Sequence, residues 1–281
     1  MDNLQPFLKW AGGKRQLLPE IRKYIPENYN NYYEPFVGAG AVLFDLEPSV
    51  ATINDINEDL VKVYNVIKYN IDGLLEDLKK HKNQADYFYE IRSLDRTDEI
   101  ENLSEVERAS RIIYLNKTCY NGLFRVNSKG EFNVPFGRYK NPGIVNEEVL
   151  RTVHKYLNEN NITVLSTDFT KAVETASEGD FVYFDPPYHP ISPSSSFTGY
   201  SLGGFSEADQ KRLRDTYLEL HHRGCYVMLS NSNSEFIKEI YDHPDLTIKE
   251  VQASRNINSD SNGRGKISEV LILNYGKENE E

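Results

Sequence analysis

The run Phe181-Val182-Tyr183-Phe184, followed at once by Asp185-Pro186-Pro187-Tyr188, constrains this chain more than any other feature. Four consecutive apolar or aromatic residues leave no polar face. A strand made of them must be covered on both sides, as in the middle of a parallel sheet. Two successive prolines then end it, since neither can donate a ladder hydrogen bond. A carboxylate is thereby set at the carboxyl end of a buried strand, where open α/β sheets bind ligands.

Short β-rich runs at 32–35, 51–54, 163–166, 226–230, 246–251 and 269–274 accompany that strand. Helical patterns are expected near 13–24, 58–70, 146–158, 206–222 and 233–241, the fourth opening on Ser206 with Asp209 three residues on, close to a capping box. Strands separated by helices imply βαβ units and a mainly parallel sheet. Only a polar loop, 252–268, separates the last two strands, which predicts an antiparallel pair at one edge. The interval from 58 to 160 breaks the rhythm. It is helical, and its 117–143 segment is rich in Asn, Gly, aromatic and basic residues. We expect residues 58–160 to form an inserted helical domain and residues 1–57 and 161–281 to form a discontinuous catalytic domain.

The formal net charge of −11 argues against a polyanionic partner until its distribution is considered. Lys117, Arg125, Lys129, Arg138 and Lys140 face only Glu131 between positions 117 and 140, whereas 95–107 is strongly acidic. No apolar run approaches the ~20 residues of a membrane span, and the first residues carry no basic segment followed by an apolar one. Cys119 and Cys225 lack metal-ligand spacing, as do the six histidines. The expectation is a reduced, cytoplasmic protein without a metal.

Gly38 and Gly40, in Glu34-Pro35-Phe36-Val37-Gly38-Ala39-Gly40, follow one strand and precede a helix, which suits a ligand-cradling turn or a plain tight turn. Asp55 ends the next strand, where a carboxylate accepts ribose hydroxyls of a nucleoside cofactor. It equally suits a helix N-cap before Glu58. In the Asp185–Tyr188 tetrad, the carboxylate and the Pro186 carbonyl are placed to accept both hydrogens of a planar amine, and Tyr188 offers a stacking face. The amine's lone pair is then aimed at an electrophile, so no covalent nucleophile is needed.

Four strings, 7–18 (FLKWAGGKRQLL), 34–42 (EPFVGAGAV), 120–142 (YNGLFRVNSKGEFNVPFGRYKNP) and 180–188 (DFVYFDPPY), together resemble the GATC-specific, Dam-type DNA adenine-N6 methyltransferases. Segments 197–213 and 227–234 agree as well, so the resemblance runs in order from about residue 6 to 275. It implies an α/β, Rossmann-like sheet of about seven strands with an inserted helical target-recognition domain. It implies transfer of a methyl group from S-adenosyl-L-methionine, with S-adenosyl-L-homocysteine as product, to a flipped adenine in double-stranded DNA containing GATC. Carried over, Asp185, Pro186, Pro187 and Tyr188 would be catalytic. Trp10, Lys14, Phe36, Gly38, Gly40, Asp55, Asp168, Phe169 and Asp185 would hold the cofactor, Asp168 reading its adenine. Lys9, Tyr120, Asn121, Leu123, Arg125, Pro135 and Arg138 would recognise DNA. Arg125 suits guanine O6 and N7, and Tyr120 suits a wedge into the base stack. A bacterial or phage source and a partner restriction endonuclease belong to the same resemblance.

Two other readings use the same residues. The tetrad's pattern also serves cytosine N4, although serine is then commoner at the first position, and a non-catalytic DNA-binding protein could retain the fold. The loops at 190–204 and 252–268, the latter with Arg255, Arg264 and Lys266, are expected as a lid and a phosphate contact.

Overall fold

The computed structural model describes residues 4–10, 12–191, 204–254 and 266–276. Most of the expected lid and phosphate loop, Arg255 and Arg264 included, lies outside the described residues. Seven strands form one sheet: β1 (Tyr32–Glu34), β2 (Val50–Asn54), β3 (Asn161–Leu165), β4 (Phe181–Phe184), β5 (Tyr226–Ser232), β6 (Thr247–Ser254) and β7 (Lys266–Leu273). Their order is β3-β2-β1-β4-β5-β7-β6. The first five run parallel, and β7 is antiparallel to both β5 and β6. The expected antiparallel edge pair is present, with β7 as the inner member.

Ten helices accompany the strands among the described residues: α1 (Leu18–Ile21), α2 (Leu43–Leu46), α3 (Glu58–Tyr69), α4 (Ile71–Leu78), α5 (Ala85–Ser93), α6 (Glu105–Thr118), α7 (Glu147–Glu159), α8 (Phe169–Ala172), α9 (Glu207–His222) and α10 (Glu235–Ile240). The helix expected at 13–24 is instead three short pieces, 3-10 turns at Lys14–Gln16 and Arg22–Tyr24 flanking α1. Pro19 lies at the start of α1, no side chain caps it, and the neighbouring Lys14 is drawn inward to the end of β4. The start of α9 is as expected, Ser206 and Asp209 capping each other's backbone.

The central strand explains the apolar run. Phe181, Val182, Tyr183 and Phe184 are all fully buried. Period-2 alternation sends Phe181 and Tyr183 into the core built with α3, α4, α6 and α7, and Val182 and Phe184 into the core built with α8, α9 and α10. On the first face α3 and α7 hold each other and the β2–β3 edge. His154 Nδ1 lies 2.8 Å from the Ile67 carbonyl, Tyr156 donates to the Pro48 carbonyl at 2.9 Å, and Lys68 donates to that of Ile162 at 2.6 Å.

Candidate active site

The carboxyl ends of β1, β2 and β4 converge where the sequence places its chemistry. Past β4, the Asp185 Oδ1 lies 2.7 Å from Lys14 Nζ, which also donates to the Gly12 carbonyl at 2.9 Å. The same ammonium stands 4.5 Å from the centre of the Tyr188 ring. Tyr188 donates its hydroxyl to Glu269 Oε2 at 2.8 Å. Burial pushes the Asp185 carboxyl up to about 6 while Lys14 pulls against it, so it remains an ionised acceptor at neutral pH. Burial also raises the Tyr188 phenol far above its ordinary value, with Asp185 and Glu269 adding to the effect, so it stays a neutral donor. The Pro187 carbonyl accepts from Gln210 Nε2 at 2.9 Å. Among the described residues no donor meets the Pro186 carbonyl.

Beside this cluster lies the glycine turn after β1. Gly38 and Gly40 have φ of 50° and 76°, the left-handed region that disfavours a Cβ. A Cβ at Gly40 would also stand 2.7 Å from Phe44 Cε2 and 2.8 Å from the Tyr64 hydroxyl oxygen. Gly38 N donates to Asp55 Oδ2 at 3.1 Å, and Asn57 N donates to Oδ1 at 2.9 Å. Asn57, not Asp55, caps α3. Burial raises the Asp55 carboxyl to about 6 despite these two backbone donors. Buried Asn54 ties three strand ends together, donating to the Pro35 and Thr167 carbonyls at 2.9 and 3.1 Å and accepting from Thr167 N at 2.8 Å. Phe36 packs on Phe169 and Phe184, with ring centres 5.5 and 6.3 Å apart.

Asp168 caps α8. Its Oδ1 accepts from Thr170 N and Oγ1, and its Oδ2 accepts from Arg212 at 2.9 Å. Burial works to raise its carboxyl, but the Thr170 and Arg212 bonds prevail and hold it below the usual range. Both oxygens are therefore already engaged.

The segment after α6 folds back as a tight hairpin. Residues Val126 and Phe132 bridge, and Asn127, Ser128, Lys129 and Gly130 make its turn. Buried Asn116 accepts from Lys9 N at 3.0 Å and donates to the Lys9 and Gly122 carbonyls at 2.8 and 3.0 Å. Lys9 thereby sits on the 120–123 turn, where a Cβ on Gly122 would lie 2.5 Å from Lys9 Cδ. Tyr120, 53% exposed, donates its N–H to the Pro135 carbonyl at 2.8 Å. Asn121 takes φ of 58° and donates its N–H to the Tyr139 hydroxyl at 2.9 Å. Half-buried Leu123 follows. Exposed Arg125 is steadied by Asn133 Oδ1 at 2.7 Å, and Arg138 adopts φ of 55°. The fold thus gathers Lys9, Tyr120, Asn121, Leu123, Arg125 and Pro135 around one short turn and hairpin. Trp10 joins that region to the glycine turn: it stacks on Phe124, centres 4.9 Å apart, and a Cβ on Gly38 would lie 3.0 Å from its Cδ1.

Comparison with known proteins agrees with this geometry. The pattern of the D12 class N6 adenine-specific DNA methyltransferases matches residues 10–257. The chain belongs to this family. It is 50% identical over 276 residues to the Type II methyltransferase M1.LlaDCHI of Lactococcus lactis subsp. cremoris, covering 98% of this chain and 96% of that one. It is 44% identical to the Type II methyltransferase M.MjaIII of Methanocaldococcus jannaschii, covering 97% and 99%. It is 34% identical to the DNA adenine methylase of Escherichia coli K12, covering 97% and 96%.

An adenine-N6 methyltransferase implies S-adenosylmethionine, and the turn after β1 fits it. Gly38 itself brings no side chain there, and the Asp55 carboxylate has no cationic partner among the described residues, which suits a nucleoside's hydroxyls. No helix of this methyltransferase, among the described residues, is long and apolar enough to cross a membrane. Sequence reasoning missed Asn54, Asn116, Gln210, Asn231 and Glu269. The first four are buried amides whose partners lie far away in sequence, and Glu269 follows a loop with no pattern of its own.

Proposed function

We propose that this methyltransferase modifies adenine N6 within GATC in double-stranded DNA, on an adenine turned out of the duplex. The observation that carries the reading is the end of β4. There Asp185 and the Pro186 carbonyl, which meets no donor among the described residues, adjoin Tyr188 on a turn fixed by Lys14, Gln210 and Glu269. S-adenosylmethionine supplies an electrophilic methyl group. The chain's part is positional. Asp185 and Pro186 accept the two amine hydrogens, which turns the lone pair away from both, and Tyr188 stacks on the base. The amine is inaccessible inside a duplex, hence the flipped base.

Trp10, Lys14, Phe36, Gly38, Gly40, Asp55, Asp168, Phe169 and Asp185 form the proposed cofactor wall. Asp168 acts there through its remaining lone pairs, since Thr170 and Arg212 already engage it. Within 58–160, the proposed recognition domain, Tyr120, Asn121, Leu123, Arg125, Pro135 and Arg138 join Lys9 in reading DNA. GATC is supported by the 34–38% identity to proteins named DNA adenine methylases, and pairing with a restriction endonuclease by the Type II relatives.

The test is protection of unmethylated plasmid, with S-adenosylmethionine, against a nuclease that cuts only unmodified GATC. Wild-type protein protects and Asp185→Ala does not, while its fold survives. Full cleavage after wild-type treatment, with methyl incorporated at another sequence, overturns GATC. No incorporation into any DNA overturns the whole reading.

A further inference from the structure

The tetrad's geometry is set by a buried device that its own sequence does not contain. Gln210 on α9 and Asn231 on β5 are both fully buried. Gln210 Nε2 donates to the Pro187 carbonyl at 2.9 Å, and Asn231 Nδ2 donates to Gln210 Oε1 at 3.1 Å. Asn231 Oδ1 accepts from His189 N at 3.1 Å and from Ser232 N at 2.8 Å. The polarity of this chain has one solution. A carbonyl at one end requires an NH2 from Gln210, and two backbone N–H groups at the other require the oxygen of Asn231. Turning either amide over would set like against like beside two fully buried side chains, which leaves buried donors and acceptors unpaired.

The two tetrad atoms it grips are informative. The Pro187 carbonyl belongs to the peptide before Tyr188, and the His189 N–H to the peptide after it. Fixing both peptide planes fixes the direction in which Tyr188 leaves the backbone. The same grip turns the Pro187 carbonyl toward α9, while the Pro186 carbonyl has no donor among the described residues. Asn231 and Gln210 touch neither substrate nor cofactor in this scheme.

We propose that the Gln210–Asn231 amide pair is the positioning element of the reaction, orienting the Tyr188 stacking face and the Pro186 acceptor. This rests on the catalytic reading of the tetrad. Loss of the pair lowers kcat without weakening cofactor, because a displacement of about 1 Å at a reacting geometry lowers rate by roughly 100-fold.

The experiment compares Gln210→Leu, Asn231→Leu and Gln210→Glu with wild type in the full-length protein. It measures single-turnover methylation, cofactor affinity, thermal unfolding, and emission of a duplex carrying 2-aminopurine at the target adenine. Both leucine variants are expected to lose roughly 100-fold in single-turnover rate, to keep cofactor affinity, and to show brighter 2-aminopurine because the base is no longer held against Tyr188. Gln210→Glu offers no donor to Pro187 while ionised but offers one when protonated. Its rate relative to wild type therefore rises as pH falls from 8 to 6, a signature that loose packing does not produce. A leucine variant that merely unfolds leaves the glutamate pH series to decide. Wild-type rates in all three variants, a rate loss matched by lost cofactor affinity, or a Gln210→Glu ratio flat with pH overturns the proposal. Asp185→Ala is the control: if it stays active, the tetrad reading itself has failed; if it is dead while the Gln210 and Asn231 variants are normal, only the positioning role has.

Discussion

The Lys14 ammonium lies 2.7 Å from Asp185 Oδ1 and 4.5 Å from the centre of the Tyr188 ring, so a single cation faces both the acceptor and the stacking surface of the tetrad. Being 7% exposed, Lys14 acts on Asp185 with little screening from solvent.

The acid limb of kcat/KM should reflect that pair. Protonating Asp185 removes an acceptor, so activity falls as pH drops through about 6. Lys14 lowers the Asp185 carboxyl, and its removal raises it. In Lys14→Met, assayed with saturating cofactor, the limb moves to higher pH. An unchanged limb would show that Asp185 is not the group being titrated.

Asp55 separates stability from binding. Its carboxyl lies above its unfolded range, so it favours the fold at low pH and disfavours it as pH rises through about 6. Asp55→Asn loses the charge, keeps an oxygen for only one of the Gly38 and Asn57 amides and sets its NH2 against the other. The ligand-free variant should therefore lose the fall in melting temperature that wild type shows as pH rises through about 6. Its S-adenosylmethionine affinity should fall about 10- to 100-fold, as for hydrogen bonds to a charged group worth about 1.5–3 kcal/mol. Calorimetric titration and a melting curve check both halves.

Arg125 and Asn133 concern sequence choice. Arg125→Ala should lose about 1–3 kcal/mol of discrimination at one guanine and leave cofactor affinity untouched. Asn133→Ala removes the oxygen that steadies the guanidinium at 2.7 Å and should weaken discrimination at the same base pair by less. Methylation of single-substituted sites reads both; loss at a different base pair would reassign Arg125.

Tyr188 offers a graded pair. Tyr188→Phe loses the hydroxyl, with its bond to Glu269 and its hold on Asp185, but keeps the ring and should retain most activity. Tyr188→Ala loses the ring and with it about 1–3 kcal/mol of base stacking. Equal losses in the two variants would mean that the hydroxyl, not the ring, matters.

What the sequence made legible follows from locality. Two-sided burial of Phe181–Phe184, the Ser206/Asp209 cap and the glycine turn at 38–40 are short-range patterns, and each has the expected structural role. The helix expected at 13–24 was misread because periodicity says nothing of Lys14 being drawn 171 positions along the chain to Asp185. Gln210 was invisible for the same reason: on an exposed helix pattern it looks like one more polar residue, and only the third dimension brings it beneath Pro187.

The indole of Trp10 has further reach. One side rests on Phe124 of the hairpin, and its edge approaches Gly38 of the proposed cofactor turn. If both ligands bind against it as proposed, the indole can couple their affinities, and such linkage is reciprocal. Whatever a bound methyl donor does to this protein's grip on DNA through that wall, DNA does by the same factor to its grip on the donor. Scarcity of the donor would then register as altered residence on DNA and not only as slower turnover.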